Sequence, residues 1–101
     1  MITDHLAIVT WLATGPSGAL HLPDSLQVIG IGRFADDGPE WPDGSWSVVC
    51  RFDTPPSEHG SPIQARVHFL MDQAPHERIA PGIRFDVCEG RQVVAAVEVL
   101  W

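Results

Sequence analysis

The chain has 101 residues, 45% of them apolar and 19% charged, with a formal charge of −7, no lysine and six arginines. That length is one domain, residues 1–101, with enough chain to bury one real core. The composition excludes disorder, and no run reaches the roughly 20 apolar residues of a membrane-spanning helix. An acidic balance repels phosphate at long range, so nucleic-acid binding starts with a penalty.

The opening stretch MITDHLAIVTWLATG has no basic region before a short apolar run. It is not expected to be a signal peptide, and a cytoplasmic location is expected. Nine prolines and nine glycines punctuate the chain, and six strand candidates lie between them. The first, 5–14, is apolar on both faces. The second, 26–34, carries Gly30 and Gly32, which point to a bend or a close backbone approach. In the third, 45–53, Trp46, Val48, Cys50 and Phe52 share a face. The fourth, 62–71, has the cleanest period of two: Ile63, Ala65, Val67, Phe69 and Met71 alternate with Gln64, Arg66, His68 and Leu70. In the fifth, 82–88, Ile83, Phe85 and Val87 point in and Arg84, Asp86 and Cys88 out. The sixth is 92–101. The connections at 14–25, 35–44, 54–61 and 72–81 are built of turn residues. Short strands at this spacing predict an all-β barrel or sandwich. The expected core contains Ile63, Val67, Phe69, Phe85, Val87 and Val99. Cys50 and Cys88 fall on opposite faces, which argues against a disulfide between them.

Glu89-Gly90 reads as the turn of a tight hairpin, because glycine takes positive φ at no steric cost. Around it, Ile83, Phe85, Val87, Glu89, Gly90, Val94 and Ala96 form an apolar-x-Phe-x-apolar-x-Glu-Gly hairpin followed by valine in a small-residue strand. This resembles the end of the third domain of elongation factor Tu, over residues 79–96 and more loosely from Pro62 on. The resemblance implies a single closed six-stranded antiparallel β-barrel, sealed by its last strand. No G-x-x-x-x-G-K-[ST] motif occurs in these residues, so they hold no phosphate cradle and GTP hydrolysis is not expected. In that family the third domain helps grip tRNA, and its hairpin tip is basic. Here the tip is Cys88-Glu89-Gly90-Arg91-Gln92, which argues against an inherited tRNA contact.

Candidate chemistry is sparse. His59, His68 and His76 with either cysteine lack the short paired spacing of a zinc site, and no metal or cofactor is expected. Cys88 with His68 would make a nucleophile–base pair only on neighbouring strands. The segment ADDGPEWPDGSW, 35–46, lacks the spacing of a calcium loop. Its Trp41, with Asp43 close by, either plugs a barrel end or offers an aromatic to a partner. Arg51, Arg66 and Arg84 are expected on outward faces, where outward residues of adjacent strands line up as a stripe. Trp41, Asp43, Arg51, Arg66, His68 and Arg84 are therefore the candidate partner-binding residues. The expected function is a non-enzymatic protein-binding module. An RNA-binding module is the alternative, separable by steep salt dependence, and a small hydrolase would need a pocket with converging polar groups.

Overall fold

The computed structural model of the protein describes residues 4–14 and 18–101. Met1–Thr3 and residues 15–17, the latter part of the connection expected at 14–25, lie outside the described residues. Six strands carry the fold: β1 (His5–Trp11), β2 (Gln27–Phe34), β3 (Ser47–Arg51), β4 (Ile63–Phe69), β5 (Arg84–Glu89) and β6 (Gln92–Val99). A single helical turn, α1 (Pro56–His59), and a 3₁₀ turn at His76–Arg78 complete it. Every strand pair is antiparallel, and the sheet closes on itself in the order β1-β4-β3-β2-β5-β6. Of the barrel and the sandwich that the strand rhythm allows, the all-β barrel forms, closed and six-stranded as the resemblance implies. Among the described residues no helix is long and apolar enough to cross a membrane.

Alternation decides which side chains fill the bore. Ala7, Val9 and Trp11 from β1, Val48 and Cys50 from β3, Ile63, Ala65, Val67 and Phe69 from β4, and Ala95, Val97 and Val99 from β6 are buried together. The six residues expected in the core are each at most 4% exposed. One end is closed by aromatic rings: Phe34 stacks on Phe85 at 4.8 Å and meets Phe69 at 5.9 Å. The Arg78 guanidinium covers Phe34 at 4.4 Å while pairing with Asp36 and Asp37. At the other end Trp11 lies against Phe52 at 6.0 Å.

Gly30 and Gly32 set the width of the bore. A Cβ on Gly30 would lie 2.5 Å from Val87 Cγ1 and 3.0 Å from the Cys88 carbonyl oxygen. On Gly32 it would lie 2.9 Å from Val48 Cγ2 and 3.1 Å from Phe34 Cε1. The close approach read from these two glycines is therefore real.

Strand ends are where the alternation misleads. Met71 and Ile83, expected inside, are 45% and 39% exposed. Met71 lies past the end of β4, where its carbonyl accepts the Ala74 N–H and the chain turns away. Ile83 sits at the rim, one residue before β5. The hairpin turn is displaced by one residue from the expected Glu89-Gly90: Glu89 pairs with Gln92, so Gly90 and Arg91 are the central residues. Gly90 has φ +58° and no non-glycine residue among the described residues has positive φ, the pattern of a type II′ turn. Cys88 does face outward, yet it is fully buried, between Ile31 of β2 and Val93 of β6. A register shift beside it places both Val94 and Ala95 in the core.

Both thiols are free. Burial pushes Cys50 up to about 12. Cys88 is raised as well, by burial first and then by the Asp86 carboxylate, with Arg33 opposing.

Stability has two kinds of outcome to test, the first in packing. Phe85→Ala should cost about 3–5 kcal/mol, the range for truncating a buried phenylalanine. Gly30→Ala should cost about 1–3 kcal/mol for overpacking, more than the roughly 0.4–1 kcal/mol gained by stiffening the unfolded chain. Denaturant unfolding checks both, and an alanine at 30 that leaves stability unchanged would mean the strands stand farther apart. The second outcome concerns alkaline pH. The chain has neither lysine nor tyrosine, so its cysteines are the side chains that titrate between pH 9 and 12. Below pH 9 the thiol is protonated in both states and the full stability is present. Above it the unfolded Cys50 ionises and the folded one does not, so stability falls as pH rises towards 12. The slope is about 1.4 kcal/mol per pH unit from this thiol. Urea midpoints measured from pH 8 to 11 should fall accordingly, and less steeply in Cys50→Ala; a flat wild-type profile would contradict the buried thiol.

Candidate functional site

Because β1 to β4 alternate in and out, their outer face is also ordered into rows that cross the strands. One row runs Leu6–Arg66–Arg51–Gln27 over β1, β4, β3 and β2, each residue paired with the next. The adjacent row runs His68–Val49–Ile29, and Asp4, one residue before β1, reaches it with its carboxylate 2.6 Å from His68 Nδ1. On the other side, Gln64 of β4 and Asp53 just beyond β3 flank the arginine row. Leu6, Arg51, Asp53, Gln64, Ala65 and Arg66 line a shallow hollow of about 30 Å³, enough to admit a water-sized group.

Directly opposed residues on antiparallel strands carry their Cβ atoms roughly 4.5–5.5 Å apart, and like charges in that position repel. Arg51 and Arg66 are both exposed and directly opposed. Other arginines are engaged within the fold: Arg78 with Asp36 and Asp37, Arg84 with Glu98 at 3.4 Å, and Arg33 over the Trp41 ring at 5.1 Å. Among the described residues no carboxylate lies within ion-pairing distance of Arg51 or Arg66, although Asp53 shares their hollow. The stripe of three outward arginines is thus a pair. Arg84 sits on β5, separated from β3 by β2.

The remaining candidates are dispersed. Trp41 is 7% exposed, and its Nε1 donates to the Gly32 carbonyl oxygen at 3.1 Å. It folds back on the outside of β2 beneath Arg33, so it neither joins the main core cluster nor presents a free aromatic surface. Asp43 is exposed two residues further on. Two other carboxylates of that segment, Asp36 and Asp37, are committed to Arg78, and Asp37 also accepts the Phe34 N–H at 2.7 Å. The Cys88–His68 pairing is corrected: β5 and β4 are not neighbours, and β2 and β3 stand between them. His59 and His76 each sit at hydrogen-bonding distance from a backbone carbonyl oxygen, of Gly60 and Asp72 respectively. Among the described residues no three His, Cys, Asp or Glu side chains are gathered together.

A larger trough of about 560 Å³ crosses the outside of β1, β6, β5 and β2. Its floor is the row Thr10–Ala96–Asp86–Arg33, lowest at the small Ala96. Its two arginines are Arg84 and Arg33, both already engaged.

Gln27, Gln64, Asp53 and Leu6 were not singled out in the sequence. Alternation places Gln64 and Asp53 on the outward set, and only the register shows that all four surround the arginine pair.

Relieving the repulsion gives a direct measurement. Arg66→Gln keeps much of the side-chain stem and removes one charge. It should raise stability by about 0.2–1 kcal/mol at low salt, and the gain should shrink as the Debye length falls from roughly 10 Å at 0.1 M to 3 Å at 1 M. A loss of stability that is insensitive to salt would show that Arg66 is engaged within the fold.

Compared with known protein families, curated proteins and solved structures, the chain matches none.

Proposed function

We propose that the protein is a non-enzymatic protein-binding module, a cytoplasmic barrel of the kind found in translation factors, that receives an acidic partner segment on the outer face of β3 and β4. The observation that carries this reading is Arg51 directly opposite Arg66, without an ion-pair partner among the described residues, on a chain of net charge −7. Holding two like charges together on a sheet is unfavourable until an anion bridges them.

The surroundings support a protein partner. Ile29, 46% exposed, lies on the next row, and half-buried Leu6 is beside Arg66. Arginine among apolar side chains is the composition of protein interfaces. A nucleic-acid surface needs a track of cations, one for each phosphate it neutralises. The likeness to the third domain of elongation factor Tu draws support from the hairpin residues Ile83 to Ala96 and from barrel closure. Two free thiols support a reducing compartment.

RNA binding is the second reading, favoured by the same two outward arginines. Titrating the full chain in parallel with tRNA and with a glutamate-rich peptide containing leucine separates the two. At an ionic strength of about 0.15 M the peptide should shift the backbone amide resonances of Arg51, Arg66 and Ile29, and tRNA should show no affinity above generic background. A micromolar or tighter tRNA affinity that falls steeply with salt and is lost in Arg66→Ala would replace the protein-binding reading.

A further inference from the structure

We propose that the Arg51–Arg66 pair is a receptor for one compact dianion, the phosphate monoester of a phosphorylated side chain on the partner. This rests on the reading of the β3–β4 face as a protein-binding surface and names the group it recognises.

Charge counting gives the first argument. Two guanidinium groups stand opposed on adjacent strands. One carboxylate would neutralise only one of them. A phosphate monoester carries about −1.5 to −2 at pH 7 and offers three acceptor oxygens. Each guanidinium can meet two of those oxygens in a fork, and charge-assisted bonds of that kind are the strong ones.

The limits of the site give the second. The cations occupy one row of the outer face. The row on one side holds Asp4 against His68, and the hollow on the other holds Asp53. A strand of successive phosphates crossing this face would therefore meet a carboxylate on either side of the arginines. A single phosphate meets both cations at once, with Asp53 the one carboxylate that lines the same hollow. The hollow between them, about 30 Å³, takes one oxygen atom of such a group. Gln27 is paired with Arg51 on the same row and Gln64 lines the hollow, so amide donors flank both sides of the pair. Leu6 and Ile29 give apolar contacts to the residues next to the phosphorylated one.

The test titrates the full chain with three versions of one short peptide, in which leucine and isoleucine flank phosphoserine, glutamate or serine. Inorganic phosphate and a single-stranded oligoribonucleotide serve as competitors. The phosphoserine peptide should bind at least tenfold tighter than the glutamate peptide and move the resonances of Gln27, Arg51, Gln64 and Arg66. Arg51→Gln and Arg66→Gln should each weaken it by roughly ten- to a hundredfold, the worth of a hydrogen-bonded charge. Asp53→Asn should tighten it, because it removes the competing carboxylate. Inorganic phosphate should displace it only at much higher concentration, since it lacks the flanking side chains.

Equal affinity for phosphoserine and glutamate peptides at the arginine pair would overturn the phosphate assignment and leave the protein-binding reading standing. Phosphopeptide shifts confined to another face would overturn the assignment too. Displacement by the oligoribonucleotide at comparable concentration, with a steep salt dependence, would overturn both.

Discussion

Where β2 passes β5, the absence of a single carbon atom sets the geometry of the whole barrel. A Cβ on Gly30 would collide with Val87 and approach the Cys88 carbonyl oxygen, and one on Gly32 would press on Val48 and Phe34. The backbone can come this close only with hydrogen at those two positions, and the bore is correspondingly narrow. Valine, alanine and cysteine fill it, with aromatic rings confined to the two ends. Interiors packed to this density have no slack for an added methyl group. Closure also leaves no unpaired sheet edge, so the six strands cannot serve as a template for another chain. What remains for recognition is the outside.

The outside inherits its order from the inside. Once valine and phenylalanine are fixed inward, every intervening residue is fixed outward, and the register decides which of them meet. Arg51 meets Arg66 because Cys50 meets Val67. Trp41 is spent on the exterior of β2, where its indole reaches the Gly32 carbonyl and its ring holds Arg33. Arg78 performs a related task at the rim, tying the 3₁₀ turn to Asp36, Asp37 and the Phe34 ring. These contacts draw Arg33 and Arg78 into the fold's own structure; Arg51, Arg66 and the turn residue Arg91 have no ion-pair partner among the described residues, and of these only Arg51 and Arg66 stand opposed on neighbouring strands.

Much of the fold was legible in the sequence because period two survives in strands buried on one face. The β4 alternation from Ile63 to Phe69 is intact, and the faces of Val48, Cys50, Phe85 and Val87 follow from it. Legibility failed where alternation outlasts the ladder. Met71 and Ile83 continue the apolar pattern past the strand ends, but the chain has already turned towards solvent. It failed again at Cys88, whose outward position is roofed by neighbouring side chains beside a register shift that period two cannot announce. The candidate site was legible only residue by residue. Arg51, Arg66 and Arg84 all read as outward, and strand order alone tells that the first two touch and the third does not. Trp41 shows the same limit, because burial on the exterior of a sheet leaves no periodic trace.

The order β1-β4-β3-β2-β5-β6 has a consequence for how the chain is made. β1 lies between β4 and β6, both of which follow it in the chain, so the earliest strand waits for its partners. Synthesis runs at roughly 5–20 residues per second, so several seconds separate Trp11 from Gln92. During that interval His5–Trp11, apolar on alternate positions and carrying Leu6 and Ile8 between them, can pair with β4 at most, and the edge that β6 will cover stays open. A segment with this composition and an unpaired backbone is the kind that self-associates. The stretch most exposed to misassembly on the ribosome is therefore the first strand, and anything that delays β6 lengthens its exposure.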